Sequence, residues 1–351
     1  MIRQVIWWGR SNAGYSRNRS VRQLFAGLGW KINDFRPLVS SIADVEAQFR
    51  GLLAADLIWV PCFRQRDLGA ALRFGRRLGI PVIADPLISA WDKQVFERRK
   101  LAASSTASER LRHWESNLLQ ACDAVIVDTT AHAQFFADNL GISPKKLHVL
   151  WVGAEQPLFA PRARATSTST VEALFFGSFI GLHGVETVIE AARLANNARL
   201  RWVLLGSGPE RTAAEHAGAD LPNLSFEEPV PYTDLPARIA LADVVLGVFG
   251  TSEKAGRVIP NKVFQGMACG KPVVTRSGSG YPRECLEADS GLVFVKPGDS
   301  KELSDSVCDL AGNPALRTKL GGVAERTFNE TFGRDATRRQ LEAALKSVGL
   351  I

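Results

Sequence analysis

Short apolar runs alternate with longer amphipathic stretches along almost the whole chain, and the alternation is interrupted only once. Before the interruption the runs fall at 3–8, 56–60, 81–84, 123–127 and 147–151, with helix-period stretches near 16–28, 66–78, 96–120 and 131–140. A short apolar run without polar alternation suits a strand covered on both faces, and crossover helices between such strands make a parallel sheet. Residues 156–170 lose this periodicity and are rich in Pro, Ser and Thr, the composition of a linker. The series restarts with runs at 172–176, 201–205, 242–247, 271–274 and 292–295, and helical stretches near 184–195, 234–241, 261–269 and 300–311. Beyond 295 the chain reads as helix only. Two α/β halves on one linker leave a cleft between them, with ligands expected at the C-terminal ends of the strands.

Composition narrows the class. A length of 351 residues suits two domains, and 46% hydrophobic with 23% charged residues is ordinary for a soluble protein. No stretch approaches the roughly 18 consecutive apolar residues of a membrane span. Residues 1–8 read as a first strand and not as a signal-peptide core, so a cytoplasmic location is expected. The cysteines Cys62, Cys122, Cys269, Cys285 and Cys308 are scattered and form no Cys-x-x-Cys pair, which predicts buried free thiols and neither a disulfide framework nor a zinc site.

The net charge of +7 is uneven. Residues 1–160 hold 21 Lys/Arg against 14 Asp/Glu, while residues 161–351 hold 22 of each. Arg17, Arg19, Arg64, Arg66, Arg73, Arg76 and Arg77 contribute to the excess, which suits an anionic acceptor or peripheral attachment to an anionic membrane surface.

Three motifs carry chemistry in the second half. The run at 172–176 leads into Gly177-Ser178-Phe179-Ile180-Gly181-Leu182-His183-Gly184 and then a helix, an arrangement that favours anions through free N–H groups and the helix dipole. The next run ends in Gly206-Ser207-Gly208-Pro209, whose glycines permit close backbone approach to a ligand. It lacks the third glycine of a dinucleotide fingerprint and lies in the wrong half for one, which disfavours a dehydrogenase. The third motif spans 257–274 and reads as a loop, a short helix from Asn261, a stop at Gly270 and a buried strand. Asn261 and Gln265 share a face near the helix start, beside Lys262.

The order of these motifs, with Met267-Ala268-Cys269-Gly270-Lys271-Pro272-Val273-Val274 and Gly291-Leu292-Val293-Phe294, resembles glycosyltransferase family 4 over nearly the whole chain. Val152-Gly153-Ala154-Glu155 with Phe159 and Pro161 resembles the family's crossing segment, and Tyr15–Arg19, Asp85–Ser89 and Val127–Thr129 resemble one branch of it. The resemblance implies an α/β, GT-B architecture: two Rossmann-like domains with parallel sheets facing across a cleft. The divisions expected are 1–155 on the acceptor side, a linker at 156–170, a nucleotide-sugar-binding domain at 171–334 and a terminal helix at 335–351 packing back on the first domain. It further implies a retaining, metal-independent transfer from a UDP-, GDP- or other nucleotide sugar, with no bound cofactor. The acceptor would be a glycan or a lipid-linked saccharide, and no nucleic acid would take part.

On this resemblance the donor meets Gly177, Ser178, Gly206, Gly208, Asn261 and Gln265, while Tyr15, Arg17, Asn18 and Asp85 lie on the acceptor side. The sequence departs from the family pattern at four positions. Ser178 and His183 stand where many members have an Arg and a Lys on the donor pyrophosphate, and Arg257 and Gln265 where many have two glutamates. Arg257 and Lys262 are expected to restore the lost positive charge, with His183 adding a hydrogen bond or a charge, so these three are the candidate catalytic residues. No Asp-x-Asp pair follows a strand in the second half and no His/carboxylate cluster has metal spacing. The competing readings are a binding protein of the same fold that has lost turnover and another enzyme of the architecture, such as a nucleotide-sugar epimerase.

Overall fold

A computed structural model describes residues 2–52, 54–98, 100–163, 170–195, 197, 199–286 and 289–351. The chain forms two compact units, Met1–Val152 with Arg334–Ile351, and Gly153–Gly333. Each contains one six-stranded sheet whose paired strands all run parallel.

In the first unit the strands are β1 (Gln4–Trp8), β2 (Lys31–Phe35), β3 (Leu57–Val60), β4 (Val82–Ala84), β5 (Ala124–Val127) and β6 (Leu147–Val149), in the order β2-β1-β3-β4-β5-β6. Successive side chains of a strand point to opposite faces. Ile6, Trp8, Ile58 and Val60 accordingly join one buried layer, and Val5, Trp7, Leu57 and Trp59 join the other. The second layer is completed by Leu341, Ala344 and Leu345 of the helix Arg334–Ser347, which is how the end of the chain becomes part of this unit.

The second unit has β7 (Val171–Phe176), β8 (Leu200–Leu205), β9 (Leu224–Glu227), β10 (Val244–Leu246), β11 (Val273–Arg276) and β12 (Leu292–Val295), in the order β12-β11-β10-β7-β8-β9. Trp202, Phe175, Phe179 and Val188 are buried at its core. Glycine lets the helix Asn261–Ala268 lie close on the sheet. A methyl group on Gly266 would stand 2.9 Å from a Val245 methyl and 3.0 Å from one of Val273.

The sequence pattern leads to five strands per half, and the sheets have six. The additional strands, β2 and β9, are outermost, so one long edge meets solvent and their residues need not be apolar. Within β2, Asp34 pairs with Arg22 at 2.7 Å and Asn33 bonds Gln4 at 2.8 Å. The helix expected over 96–120 instead begins at Thr106, where the Ser105 hydroxyl caps it by accepting the Ser108 N–H at 3.1 Å. Of the stretch expected as a linker, 164–169 lie outside the described residues. Phe159, earlier in that stretch, is fully buried against Tyr232, with ring centroids 5.4 Å apart.

Candidate functional site

In the second unit strand order reverses between β10 and β7, and the turns that follow these two strands flank the point where α/β sheets bind ligands. The turn after β7 is locked between its neighbours by contacts that only glycine permits. Gly206, at φ +137°, would place a Cβ 1.9 Å from the Gly177 carbonyl oxygen. Gly208, at φ +154°, would place one 2.5 Å from the Phe179 nitrogen. On the other side a Cβ on Gly184 would reach within 2.5 Å of the Gly250 nitrogen, and the Phe249 N–H donates to the His183 carbonyl at 3.0 Å. Two arginines brace these turns from below. Arg211 donates to the carbonyls of Gly206 and Glu227 at 2.5 and 2.9 Å, and Arg276 to those of Gly250 and Ser252 at 2.6 and 3.0 Å.

Lys262 comes to this turn from the first turn of the helix Asn261–Ala268, which follows Pro260. Its side-chain end is 3.4 Å from where a Gly177 Cβ would sit, and His183 Cε1 is 3.7 Å from the same point. Lys262 is 4% exposed, and its Nζ lies 3.6 Å from the centroid of the Phe175 ring. Among the described residues that nitrogen has no hydrogen-bond acceptor. Burial pushes the ammonium well below the ordinary lysine range, since water is exchanged for an aromatic face alone.

Of the two roles expected of His183, a hydrogen bond or a charge, the ring as it stands offers the hydrogen bond. Burial, and then the neighbouring Lys262, pushes its imidazole down to about 3, so the ring is neutral at physiological pH. Its Nδ1 is hydrogen-bonded to the Ser178 carbonyl, which ties both ends of the loop together. The structure therefore gathers Gly177, Ser178, Gly206, Gly208, His183 and Lys262 around one turn. Asn261 is half-buried at the helix start and Gln265 buried one turn later. Arg257 belongs to the helix Glu253–Arg257, 3.5 Å from the Glu253 carboxylate, and its carbonyl packs 2.7 Å from where a Gly280 Cβ would sit.

The first unit has its own reversal, between β1 and β3. Tyr15 and Phe63 meet edge to face across it, 5.2 Å between centroids. Burial, with Cys62 nearby, pushes the Tyr15 hydroxyl up to about 12. Asn18 donates to the Asn12 carbonyl at 2.8 Å and accepts from the Cys62 thiol at 3.2 Å.

Arg17 requires a correction. It is fully buried, forks onto Asp85 at 2.9 and 3.1 Å, and donates to the carbonyls of Leu150 and Trp151 at 2.7 and 3.0 Å. This side chain ties the strand ends together and cannot draw an anion from solution. Burial pushes the Asp85 carboxyl up against the opposing pull of Arg17. Arg64 and Arg73 are likewise engaged, with Asp67 at 2.5 Å and Asp44 at 2.6 Å; each pair removes one charge of either sign, so the net excess stands but these arginines are not its source.

Sequence reasoning passed over His132. It is 1% exposed, its Nδ1 meets Asp128, and its Nε2 has no hydrogen-bond partner among the described residues. The available signal was Asp128, at the end of β5, followed four residues later by a histidine on the helix Thr130–Leu140. Among the described residues no three His, Cys, Asp or Glu side chains group as a metal site, and no helix is long and apolar enough to cross a membrane.

A family described as glycosyl transferases group 1 matches residues 170–313, and a glycosyl transferase 4-like domain matches residues 15–153. A D-inositol 3-phosphate glycosyltransferase of Kineococcus radiotolerans is 28% identical over 64% of this chain and 57% of its own length. The lipopolysaccharide core biosynthesis glycosyltransferase LpsD of Rhizobium meliloti is 26% identical over 50% of each chain. The chain thus spans between half and three fifths of the length of these relatives. Among solved structures, sucrose-phosphate synthase from Thermosynechococcus elongatus superposes with a TM-score of 0.77 at 17% identity, covering 99% of both chains. Anabaena HepE in complex with UDP superposes with a TM-score of 0.73 at 15% identity, covering 99% of this chain and 100% of that one.

Proposed function

The chain belongs to glycosyltransferase family 4 and has its GT-B fold, and from that premise we propose that it transfers a sugar from a nucleotide-sugar donor to an acceptor hydroxyl with retention of configuration. The observation that carries this reading is Lys262, a buried lysine whose Nζ has no hydrogen-bond acceptor among the described residues and lies against the glycine turn at the strand-order reversal. A buried cation without an acceptor is costly, and a donor diphosphate would supply the missing one.

In this reading the diphosphate lodges at Gly177–Gly184, with backbone N–H groups and Lys262 stabilising the charge that develops on the leaving group. Gly206 and Gly208 let the nucleotide approach the backbone, and Asn261 and Gln265 offer hydrogen bonds to its ribose. Arg257 is the second cation of the donor site. His183 holds the loop in shape through Ser178. Charge stabilisation by Lys262 makes the transfer independent of a divalent ion, and the leaving phosphate oxygen takes the acceptor proton. UDP is the first nucleotide to test, because similar folds have been solved with it. Tyr15 marks the acceptor side, where a glycan or lipid-linked saccharide would enter at the cytoplasmic face of a membrane; Asn18 and Asp85, expected there as well, are buried and hydrogen-bonded within the protein, as Arg17 is, and serve only to hold its shape. The reaction would serve polysaccharide or glycolipid synthesis.

Incubation with labelled nucleotide sugars tests the reading, with EDTA in a parallel sample. Donor consumption that survives EDTA supports it, and consumption that requires magnesium or manganese overturns metal independence. The four departures from the family pattern favour a second reading, binding without turnover. It would show as nucleotide binding with no donor consumption under any condition.

A further inference from the structure

The helix Ala43–Phe49 is amphipathic in reverse. At about 100° per residue, Ala43 and Ala47 fall on one side, and Ile42, Val45 and Phe49 on the opposite side. The alanines are fully buried and belong to the core that also holds Leu68 and Leu72 of the neighbouring helix Leu68–Leu78. The large apolar side chains face outward: Ile42 is 57% exposed, Val45 46% and Phe49 89%, continued by Leu38 at 72% and Val39 at 48%. Five exposed aliphatic and aromatic side chains within the twelve residues Leu38–Phe49 are unusual on a protein that meets only water.

The charge around this segment is one-sided. Its two carboxylates are both paired, Asp44 with Arg73 at 2.6 Å and Glu46 with Arg50 at 2.6 Å, and Glu46 also accepts the Leu38 N–H at 2.8 Å. Arg73 holds the Asp44 carboxyl below its ordinary range. Arg10 donates to the Leu38 carbonyl at 2.7 Å and Arg77 to that of Asp44 at 3.3 Å, while Arg36 is exposed at the start of the segment. Arg50 and Arg73 neutralise the segment's two carboxylates, and Arg10, Arg36 and Arg77 leave a local excess of three positive charges beside the apolar side chains. A second copy of this chain meeting the patch symmetrically would set arginine against arginine, which favours a partner of opposite charge.

We propose that Leu38–Phe49 is a membrane seat, its apolar side chains entering the headgroup region of an anionic bilayer while the surrounding arginines meet lipid phosphates. Binding here does not depend on the transfer reaction. It goes beyond attraction by net charge because it requires apolar insertion at named residues.

Sedimentation of the full chain with vesicles of phosphatidylcholine alone, and with phosphatidylserine added, tests the seat. The wild type should sediment with the anionic vesicles at low salt and much less at high salt or with neutral ones. Phe49→Ser with Ile42→Ser should weaken that binding about tenfold or more. Both side chains are exposed, so the melting temperature should hold, and UDP binding by the same variant reports separately on the proposed transfer reaction. Arg36→Glu provides a second variant, expected to lower binding to anionic vesicles only. No sedimentation of the wild type, or equal sedimentation of wild type and the double variant, would overturn the seat. So would ultracentrifugation showing a wild-type dimer that the double variant loses.

Discussion

Lys262 destabilises the protein that carries it. Its ammonium has given up water for the face of Phe175, and its folded pKa is depressed by burial. The unfolded chain therefore holds a proton more tightly than the folded one, and stability rises with pH as the penalty is relieved towards the ordinary lysine value near about 10.4. Lys262→Met should raise the melting temperature of the nucleotide-free protein, most at neutral pH and less as pH approaches 10, while weakening nucleoside diphosphate binding by about 1.5–3 kcal/mol. A fall in melting temperature, checked by calorimetry across pH, would mean that the amine has a structural partner. His183 carries a separate sign. Its folded pKa of about 3 lies below the ordinary 6.5, so stability that is complete above 6.5 is lost as pH falls towards 3. His183→Gln should flatten that loss; parallel curves for wild type and variant would contradict the neutral ring. The sequence offers Lys262, Gly177 and Gly206 readily, because each lies in a separate motif that a short local window displays. Arg17 was misjudged from sequence because its partner Asp85 is 68 residues away and nothing local shows the fork between them.

The turns at the site are set first by close backbone approach, with Arg211, Arg276 and His183 bracing them through carbonyls. Gly206 has both a φ of +137° and a neighbouring carbonyl where its Cβ would be, and a backbone atom cannot rotate away as a side chain can. Gly206→Ala should cost more than about 3 kcal/mol and lower the melting temperature of the second unit. A shift within a degree or two would refute the interlock. The same scale shows what sequence patterning can and cannot reach. Central strands such as β5 and β10 are buried on both faces and announce themselves as apolar runs. The edge strands β2 and β9 carry polar residues and are fixed by ladder pairing, with Lys31–Phe35 registered on Gln4–Trp8 and Leu224–Glu227 on Trp202–Leu205, which no local window displays.

At the scale of the whole molecule, the chain leaves its first unit after Val152 and returns to it at Arg334. The return is anchored by Leu341, Ala344 and Leu345 against Val5, Trp7 and Trp59, and by Gln340, which accepts the Trp151 N–H at 3.0 Å. Leu341→Ala should cost about 2–5 kcal/mol in the first unit, read by thermal denaturation, and leave nucleotide affinity in the second unchanged. Loss of nucleotide affinity at temperatures where the variant is folded would contradict this separation. The central claim, that the glycine turn and Lys262 form a nucleoside diphosphate site, is tested most directly by titration calorimetry of UDP and GDP against wild type and Lys262→Met at matched pH. Binding of at least one nucleotide by the wild type, reduced about tenfold or more in a variant that still melts cooperatively, is the result predicted. Equal affinity of the two proteins for every nucleotide, or no binding by either, would contradict it.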